Sequence, residues 1–118
     1  MKDNVFYHNP RCRKSRETLQ MVSKKNVEYD VIEYLKDPPS TEQLTFILKG
    51  LNMHPLELMR TQEKVFKQLG LSRKDTRSDK EWIDIMISNP ILIERPIFIY
   101  NGKVALGRPP ESVLNIIP

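Results

Sequence analysis

The two ends of this chain predict opposite kinds of strand pairing, which leaves few folds open. Near the N-terminus, an apolar run over residues 3–7 is followed by a helical pattern from Ser15 and by a second strand-like stretch, "VEYDVIEYL". A strand, a helix and a strand of this length predict a right-handed crossover between parallel strands. Near the C-terminus, "RPIFIYNGKVALGR" places apolar runs on both sides of Asn101-Gly102, which predicts an antiparallel hairpin with a type I′ turn. Parallel and antiparallel pairs must therefore share one small sheet.

The segment between these ends has the period of helices. Ser40 with Gln43, and Ser78 with Glu81, form capping boxes that open helices, and "PPESVLNII" predicts a closing helix. The order of elements is β-α-β, a helical stretch, then β-β-α. We therefore expect an α/β fold: a thioredoxin-like mixed four-stranded sheet in a single domain, residues 1–118, with a helical insertion at about 40–90.

Charge and thiol chemistry are concentrated near the N-terminus. Cys12 is the only cysteine, so no internal disulfide can form, and the two histidines leave the chain short of the ligands of a structural zinc site. Residues 1–25 carry seven basic and two acidic side chains, whereas the whole chain of 118 residues has a net charge of +4. Such a local basic patch predicts an anionic partner.

The sequence also limits where the protein works and what it binds. No apolar run approaches the roughly 18 residues of a membrane span, and the N-terminus lacks the pattern of a signal peptide. We expect no membrane contact and a cytoplasmic location, where a thiol stays reduced. Only Tyr7 adjoins the basic patch, so the stacking aromatic residues of a nucleic-acid binder are missing and no nucleic-acid partner is expected.

The stretch "YHNPRCRKS" surrounds Cys12 with groups that favour a thiolate. It lies between the first strand and the first helix, where unpaired N–H groups and the helix dipole favour an anion. The neighbours that favour the charged form are Arg11, Arg13, Lys14, His8 and Ser15. The alternative, a small inert apolar side chain, would not need such surroundings. Position 18 is threonine, which excludes a Cys-x5-Arg phosphatase loop, and position 15 is serine, which excludes a Cys-x-x-Cys pair.

A thiolate that attacks an oxyanion would need arginines from elsewhere in the chain, because a planar guanidinium matches two oxygens at once. Three arginines lie beside structural breaks. Arg60 ends "PLELMR", and Arg95 and Arg108 each precede a proline at the ends of the predicted hairpin. Loops at strand ends carry functional sites. By pattern alone, an ordinary surface charge is the more common role for each of the three, by about two to one.

At these residues the chain resembles the glutaredoxin-linked arsenate reductases. The resemblance is carried, in order, by "YHNPRCRKSRETL", "YLKDPPS", "ELMRTQEKVFKQLGL" and "NPILIERPIFIYNGKVALGRPPE". It implies that Cys12 is the nucleophile and that His8 and Ser15 support its thiolate. The oxyanion-binding residues that it implies are Arg60, Arg95 and Arg108. The Arg-Pro pair of the hairpin resembles the cis-proline site of thioredoxin folds, so Pro96 is the candidate for a cis peptide bond.

The resemblance also implies a reaction cycle that supplies the missing second thiol. Cys12 displaces an oxygen of arsenate to give a covalent adduct, and glutathione, as co-substrate, attacks this adduct and reduces arsenic to the trivalent state. Glutaredoxin, the implied protein partner, then removes glutathione as arsenite leaves. The cycle needs no metal and no bound cofactor.

Two other readings of the sequence stay open. The first is a glutathione-dependent thiol oxidoreductase of the same fold with another substrate, since the cations at positions 13 and 14 could suit the carboxylates of glutathione. The second is a regulator of the Spx type, which binds RNA polymerase. Regulators of that type carry a Cys-x-x-Cys switch, and Ser15 removes it here.

Overall fold

The N-terminal strand–helix–strand pattern forms the predicted crossover. In the computed structural model, which describes residues 3–118, β1 spans Val5–His8, α1 spans Arg13–Ser23 and β2 spans Asp30–Glu33. β1 and β2 run parallel to each other. The helix begins two residues before the start predicted by the apolar pattern, because Cys12 has an extended backbone and already serves as its N-cap.

The C-terminal pattern forms the predicted hairpin. β3 spans Ile97–Tyr100 and β4 spans Lys103–Leu106, and the two strands are antiparallel. Asn101 and Gly102 have φ values of +49° and +79°, as a type I′ turn requires. β3 also pairs with β1 in antiparallel fashion, which gives the strand order β2-β1-β3-β4. The predicted α/β fold with a mixed four-stranded sheet is therefore confirmed.

The strand register brings several chain ends to one edge of the sheet. His8 lies opposite Glu33, Tyr7 opposite Ile97, and Ile97 opposite Leu106. The carboxyl ends of β1, β2 and β4 and the amino end of β3 therefore meet at one edge, which we call the site edge. The segments that adjoin this edge are residues 9–12, 34–37, 95–96 and 107–109.

In "VEYDVIEYL", valine and tyrosine alternate with acidic residues, which predicts a strand with one buried face; this prediction was wrong in extent and in pattern. Only Asp30–Glu33 are in the strand, and Val31, expected on the buried face, is 48% exposed. The physical reason is that β2 is an edge strand, paired only with β1, so little of its surface is covered. Val27 and Tyr29, just before the strand, pack against the core instead.

The described chain divides into two compact units. The sheet unit comprises the residues up to Asp37 together with Arg95–Pro118, and the helical unit comprises Pro38–Glu94. One core cluster of the sheet unit is built from Phe6, Val22, Phe98, Ala105 and Val113. Val113 belongs to the closing helix, which is a 3-10 helix over Pro110–Ile116 rather than the expected α-helix. Its backbone hydrogen bonds join residues three apart rather than four, as from the Ser112 N–H to the Pro109 carbonyl.

The helical unit is organised by its caps. Its elements are α2 (Thr41–Leu51), α3 (Lys64–Gln68), α4 (Asp79–Ser88) and 3-10 turns at Pro55–Leu58 and Pro90–Leu92. The Ser40 hydroxyl accepts the N–H of Gln43 at 3.1 Å and caps α2. Ser78 and Glu81 form both halves of the second capping box, at 3.2 and 3.0 Å. No helix within residues 3–118 is both long enough and apolar enough to cross a membrane.

Two conspicuous residues of the helical unit have structural roles. Trp82 is fully buried, and the Arg77 guanidinium lies 5.6 Å from the centre of its ring. His54 caps the first 3-10 turn: its Nδ1 accepts the N–H of Leu56, and its own N–H donates to Glu57. Trp82 is therefore a core residue, and His54 is a capping residue.

Candidate active site

Cys12 is held by its backbone where the loop from β1 becomes α1. Its N–H donates to the Asn9 carbonyl at 3.0 Å, and its carbonyl accepts the N–H of Arg16 at 3.0 Å as the first bond of the helix. The side chain makes no capping hydrogen bond and is partly exposed. The sulfur is thus placed at the positive end of α1 and is not used to satisfy the helix.

Asn9 organises the loop, a role that the sequence prediction missed. Its side-chain Oδ1 accepts the N–H of Arg11 at 3.1 Å, while its carbonyl holds Cys12. A third hydrogen bond holds the loop, from the Arg16 guanidinium to the Pro10 carbonyl at 2.9 Å. The signal for this role was present, because an Asn-Pro pair favours the start of a turn.

Ser15 and His8, both predicted to lie near Cys12, bind to each other. Ser15 is in the first turn of α1 and is completely buried, and its Oγ lies 2.7 Å from His8 Nδ1. The same Oγ accepts the backbone N–H of Asn9 at 3.0 Å. Two hydrogen bonds on one buried hydroxyl therefore tie the beginning of α1 to the end of β1, on both sides of the cysteine loop.

His8 is a neutral imidazole near pH 7. Burial is the main cause that lowers the pKa of His8 below its ordinary value of 6.5, and the positive charge of Arg16 lowers it further. The carboxylate of Glu33 raises the pKa of His8, but its effect is smaller than that of burial. Any help that His8 gives to a thiolate must therefore come through a hydrogen bond rather than through a positive charge.

The lowered pKa of His8 predicts a loss of stability in acid. Below about pH 6.5 the unfolded chain binds a proton at this position and the folded chain does not, so the free energy of unfolding falls as the pH falls toward the folded pKa. We expect the difference between pH 7 and pH 5, measured by urea unfolding, to be smaller in His8→Gln than in the parent. His54→Gln is the control, and an equal change in both variants would contradict this assignment.

The loops at the site edge are packed closely around Pro96. The peptide bonds Arg95–Pro96 and Arg108–Pro109 are both cis; the sequence nominated the first, and the second was not predicted. The Gly107 N–H donates to the Pro96 carbonyl at 2.9 Å. A Cβ on Gly107 would lie 2.6 Å from Pro96 Cγ and 3.3 Å from Thr18 Cγ2. The position requires glycine because the proline ring is stiff and cannot give way.

Arg95 is the arginine whose environment is best suited to bind an anion. It lies at the amino end of β3, on the site edge, and its side chain is partly buried. Its Nε is buried and has no hydrogen-bond partner within residues 3–118. A buried donor without an acceptor costs free energy, more so on a charged group. An oxyanion would supply the missing acceptor.

Arg108 also lies on the site edge, just after β4. Its side chain is exposed, and its backbone N–H donates to the Leu106 carbonyl at 2.8 Å. The sheet register thus brings the chain segments of Cys12, Arg95 and Arg108 to the same edge. Although Cys12 and Arg108 are 96 positions apart in the chain, strand pairing brings their segments to one edge of the sheet.

Arg60 belongs to the helical unit and is already engaged by carboxylates. Its Nη2 and Nε lie 2.8 and 3.0 Å from Glu63 Oε1, and its Nη1 lies 3.8 Å from Glu94 Oε1. The Arg60 side chain is only 23% exposed, so these ion pairs are less screened than surface pairs. The sequence prediction did not include these partners, although Glu63 stands at the helical spacing that brings side chains together.

The cations beside Cys12 do not all act on it. Arg13 Nε donates to the Glu17 carboxylate at 3.0 Å, so its guanidinium lies beside Glu17, and its side chain is 84% exposed. Lys14 is exposed as well. Among residues 3–118, no cluster of three or more His, Cys, Asp or Glu side chains has the arrangement to hold a metal ion.

Comparison with known proteins gives a consistent set of relatives. The sequence profile of the ArsC family matches residues 7–116. The chain is 46% identical over 117 residues to "Uncharacterized protein YfgD" of Escherichia coli K12, covering 98% of each chain. It is 38% identical over 118 residues to an arsenate reductase of Escherichia coli, covering all of this chain and 83% of that one. The solved structure of the arsenate reductase from Vibrio cholerae superposes with a TM-score of 0.88 at 40% identity, over 98% of both chains.

Proposed function

Because the chain belongs to the ArsC family, we propose that it is a thiol-dependent reductase that converts arsenate to arsenite, with Cys12 as the nucleophile. The observation that carries this proposal is the placement of Cys12 at the N-cap of α1, with its backbone fixed and its sulfur not used for capping. The relatives that bear the name arsenate reductase add support for the substrate. The proposed reaction takes place in the cytoplasm, where thiols are kept reduced.

The first step is the formation of a thioester-like bond between sulfur and arsenic. The Cys12 thiolate attacks arsenate, an S–As bond forms, and one oxygen leaves as water after protonation. Arsenic is still pentavalent after this step. The positive end of α1 stabilises the thiolate before the attack.

The second step transfers two electrons to arsenic. The glutathione thiolate attacks Cys12 Sγ, so that an S–S bond forms and the S–As bond breaks. The bonding pair leaves with arsenic, which becomes trivalent and departs as arsenite, while the two thiols are oxidised to a mixed disulfide. A single-cysteine protein needs such an external thiol.

The third step restores the protein. A thiolate of glutaredoxin attacks the glutathione sulfur of the mixed disulfide, which regenerates the Cys12 thiolate and leaves glutathione bound to glutaredoxin. No bound cofactor enters the cycle, since the electrons come from the two thiols.

Ser15 and His8 support the Cys12 thiolate in this proposal. A serine hydroxyl has two acceptor positions and one hydrogen. The Asn9 N–H occupies one acceptor position, and His8 Nδ1 occupies the second if it carries the ring proton. The hydrogen of Ser15 is then left to donate to the sulfur. Neutral His8 therefore orients the hydroxyl, whereas a charge on His8 is not required.

Arg60, Arg95 and Arg108 are the proposed oxyanion-binding residues. Guanidinium groups around the arsenate oxygens stabilise the negative charge as it shifts during the attack. The buried, unpaired Nε of Arg95 makes it the best supported of the three. Arg60 must exchange its contacts with Glu63 and Glu94 for arsenate, so its contribution is the smallest that we expect.

A coupled assay tests the proposal. The reduced protein is mixed with arsenate, glutathione, glutaredoxin, glutathione reductase and NADPH, and the loss of NADPH is followed by absorbance. We expect NADPH oxidation that requires arsenate, glutathione and glutaredoxin together. Turnover with another disulfide or oxyanion but not with arsenate would favour the rival thiol oxidoreductase of the same fold.

A further inference from the structure

A cleft of about 310 Å³ lies beside the cysteine loop in the sheet unit. One wall is formed by residues 8–11, the end of β1 and the loop that leads to Cys12. The other wall is formed by Glu33, Leu35 and Lys36, at and just after the end of β2. Its volume is at the lower end of the range of small-ligand pockets. The cleft exists because the parallel register places His8 opposite Glu33.

The charges on the walls form a specific pattern. Arg11 and Lys36 are exposed cations, Glu33 is an exposed carboxylate, and Leu35 is an apolar side chain that is 39% exposed. His8 adds no charge, since burial keeps it neutral near pH 7. The cleft therefore presents two positive groups and one negative group around an apolar patch.

We propose that this cleft binds glutathione, the thiol of the second step, through its two carboxylates and its ammonium group. The charges of a glutathione molecule, two negative and one positive, are the complement of those on the walls, and the net charges are opposite as well. Arg11 and Lys36 receive the carboxylates, Glu33 receives the ammonium group, and Leu35 contacts the central methylene groups. This inference rests on the proposed function, because it assigns a site to that reaction's co-substrate.

The wall groups are available for such a ligand. The hydrogen bond of Arg11 to Asn9 uses its backbone N–H, which leaves the guanidinium for the cleft. Lys36 Nζ lies 3.6 Å from Glu33 Oε1, a loose contact between side chains that are 82% and 47% exposed. Such surface pairs are weak, so a ligand with both charges can replace them at little cost.

The cleft adjoins the chain segment that carries Cys12. Arg11 directly precedes Cys12, and successive Cα atoms are about 3.8 Å apart. A ligand in this cleft therefore lies next to the chain segment that carries the sulfur to be attacked. By sequence alone, the cations at positions 13 and 14 could also suit the carboxylates of glutathione. The structure favours Arg11 and Lys36 instead, since these two residues line the cleft and positions 13 and 14 do not.

The test uses a thiol exchange that does not involve arsenate. Cys12 is first converted to a mixed disulfide with an aromatic thiol whose release is coloured. Glutathione or 2-mercaptoethanol is then added, the S–S bond to the aromatic thiol breaks, and the new thiol becomes bonded to Cys12. We expect the rate with glutathione to saturate with concentration and to fall about tenfold in Lys36→Glu, where repulsion replaces attraction. The rate with 2-mercaptoethanol, which has no charges to bind, is expected to stay the same.

Lys24→Glu is the matched control, because Lys24 is an exposed lysine just beyond the opposite end of α1. Equal slowing of both thiols by Lys36→Glu, or no slowing of glutathione, would overturn the assignment of the cleft. The outcome is separable from that of the coupled assay. If the cleft selects glutathione but the protein does not turn over arsenate, the proposed substrate is wrong and the glutathione site stands. If arsenate is turned over at the same rate in Lys36→Glu, the glutathione site is wrong and the proposed substrate stands.

Discussion

Replacement of Cys12 by serine is expected to abolish arsenate reduction and leave the fold intact. A serine hydroxyl stays un-ionised near neutral pH and cannot form the disulfide of the second step, so turnover should fall by a factor on the order of 10⁴ or more. Serine is nearly the same size as cysteine and is a preferred N-cap residue. Because the Cys12 side chain makes no capping bond, the serine could add one. The free energy of unfolding should be unchanged or higher by up to about 1 kcal/mol.

Two measurements separate these effects. The coupled assay gives the loss of turnover, and urea unfolding gives the stability of the same variant. Ser15→Ala is the informative comparison: it removes a buried hydroxyl with two hydrogen bonds, so it should lose stability as well as activity. Arsenate reduction that survives in Cys12→Ser would exclude a covalent role for this residue.

The sequence predicted those parts of the fold that depend on local chemistry. The hairpin followed from Asn101-Gly102, since few pairs other than Asn-Gly adopt positive φ at both positions. The start of α4 followed from Ser78 and Glu81, whose two hydrogen bonds span three residues. In each case the residues that make the contacts are neighbours in the chain, so the pattern contains the whole interaction.

The predictions that were wrong concern segments whose structure depends on the elements that pack against them. The strand pattern of "VEYDVIEYL" assumed that one face would be covered, yet β2 is the edge strand and Val31 faces outward. The closing segment has a helical pattern, but periodicity does not distinguish the spacing of a 3-10 helix from that of a short α-helix. Both outcomes are decided by packing against other elements rather than by the segment itself.

The same division holds for the candidate site. The position of Cys12 at the start of α1 could be read from spacing, and Ser15 and His8, which bind to each other, lie within eight residues of chain around it. The contact of Arg60 with Glu94, and the cleft between Arg11 and Lys36, could not, because tertiary packing and the parallel strand register create them. Sequence therefore nominated the reactive group, while the structure was needed to find what surrounds it.

Replacement of Arg95 is expected to have the second largest effect. A donor aimed at a developing oxyanion contributes about 100-fold or more to turnover, and the unpaired Nε of Arg95 is available for that role. Arg95→Ala should therefore lower kcat/KM for arsenate by about 100-fold, and Arg95→Lys should recover only part of the loss because an ammonium group lacks the planar fork. The fold should not depend on this side chain, since removal of a buried donor without a partner also removes its cost.

Arg60→Ala is expected to have a different effect from Arg95→Ala, because the two arginines have different partners. Arg60 already has Glu63 and Glu94 as partners, so arsenate must displace these carboxylates before it can bind the guanidinium. Arg60→Ala removes the guanidinium and leaves the two carboxylates without their cation. We expect a smaller loss of kcat/KM than in Arg95→Ala, together with a loss of stability that Arg95→Ala does not show. Protection of Cys12 from alkylation by arsenate gives a second readout that needs no turnover. If Arg95→Ala protects as well as the parent and as Lys24→Ala, Arg95 is an ordinary surface cation, and the buried Nε does not mark an anion site.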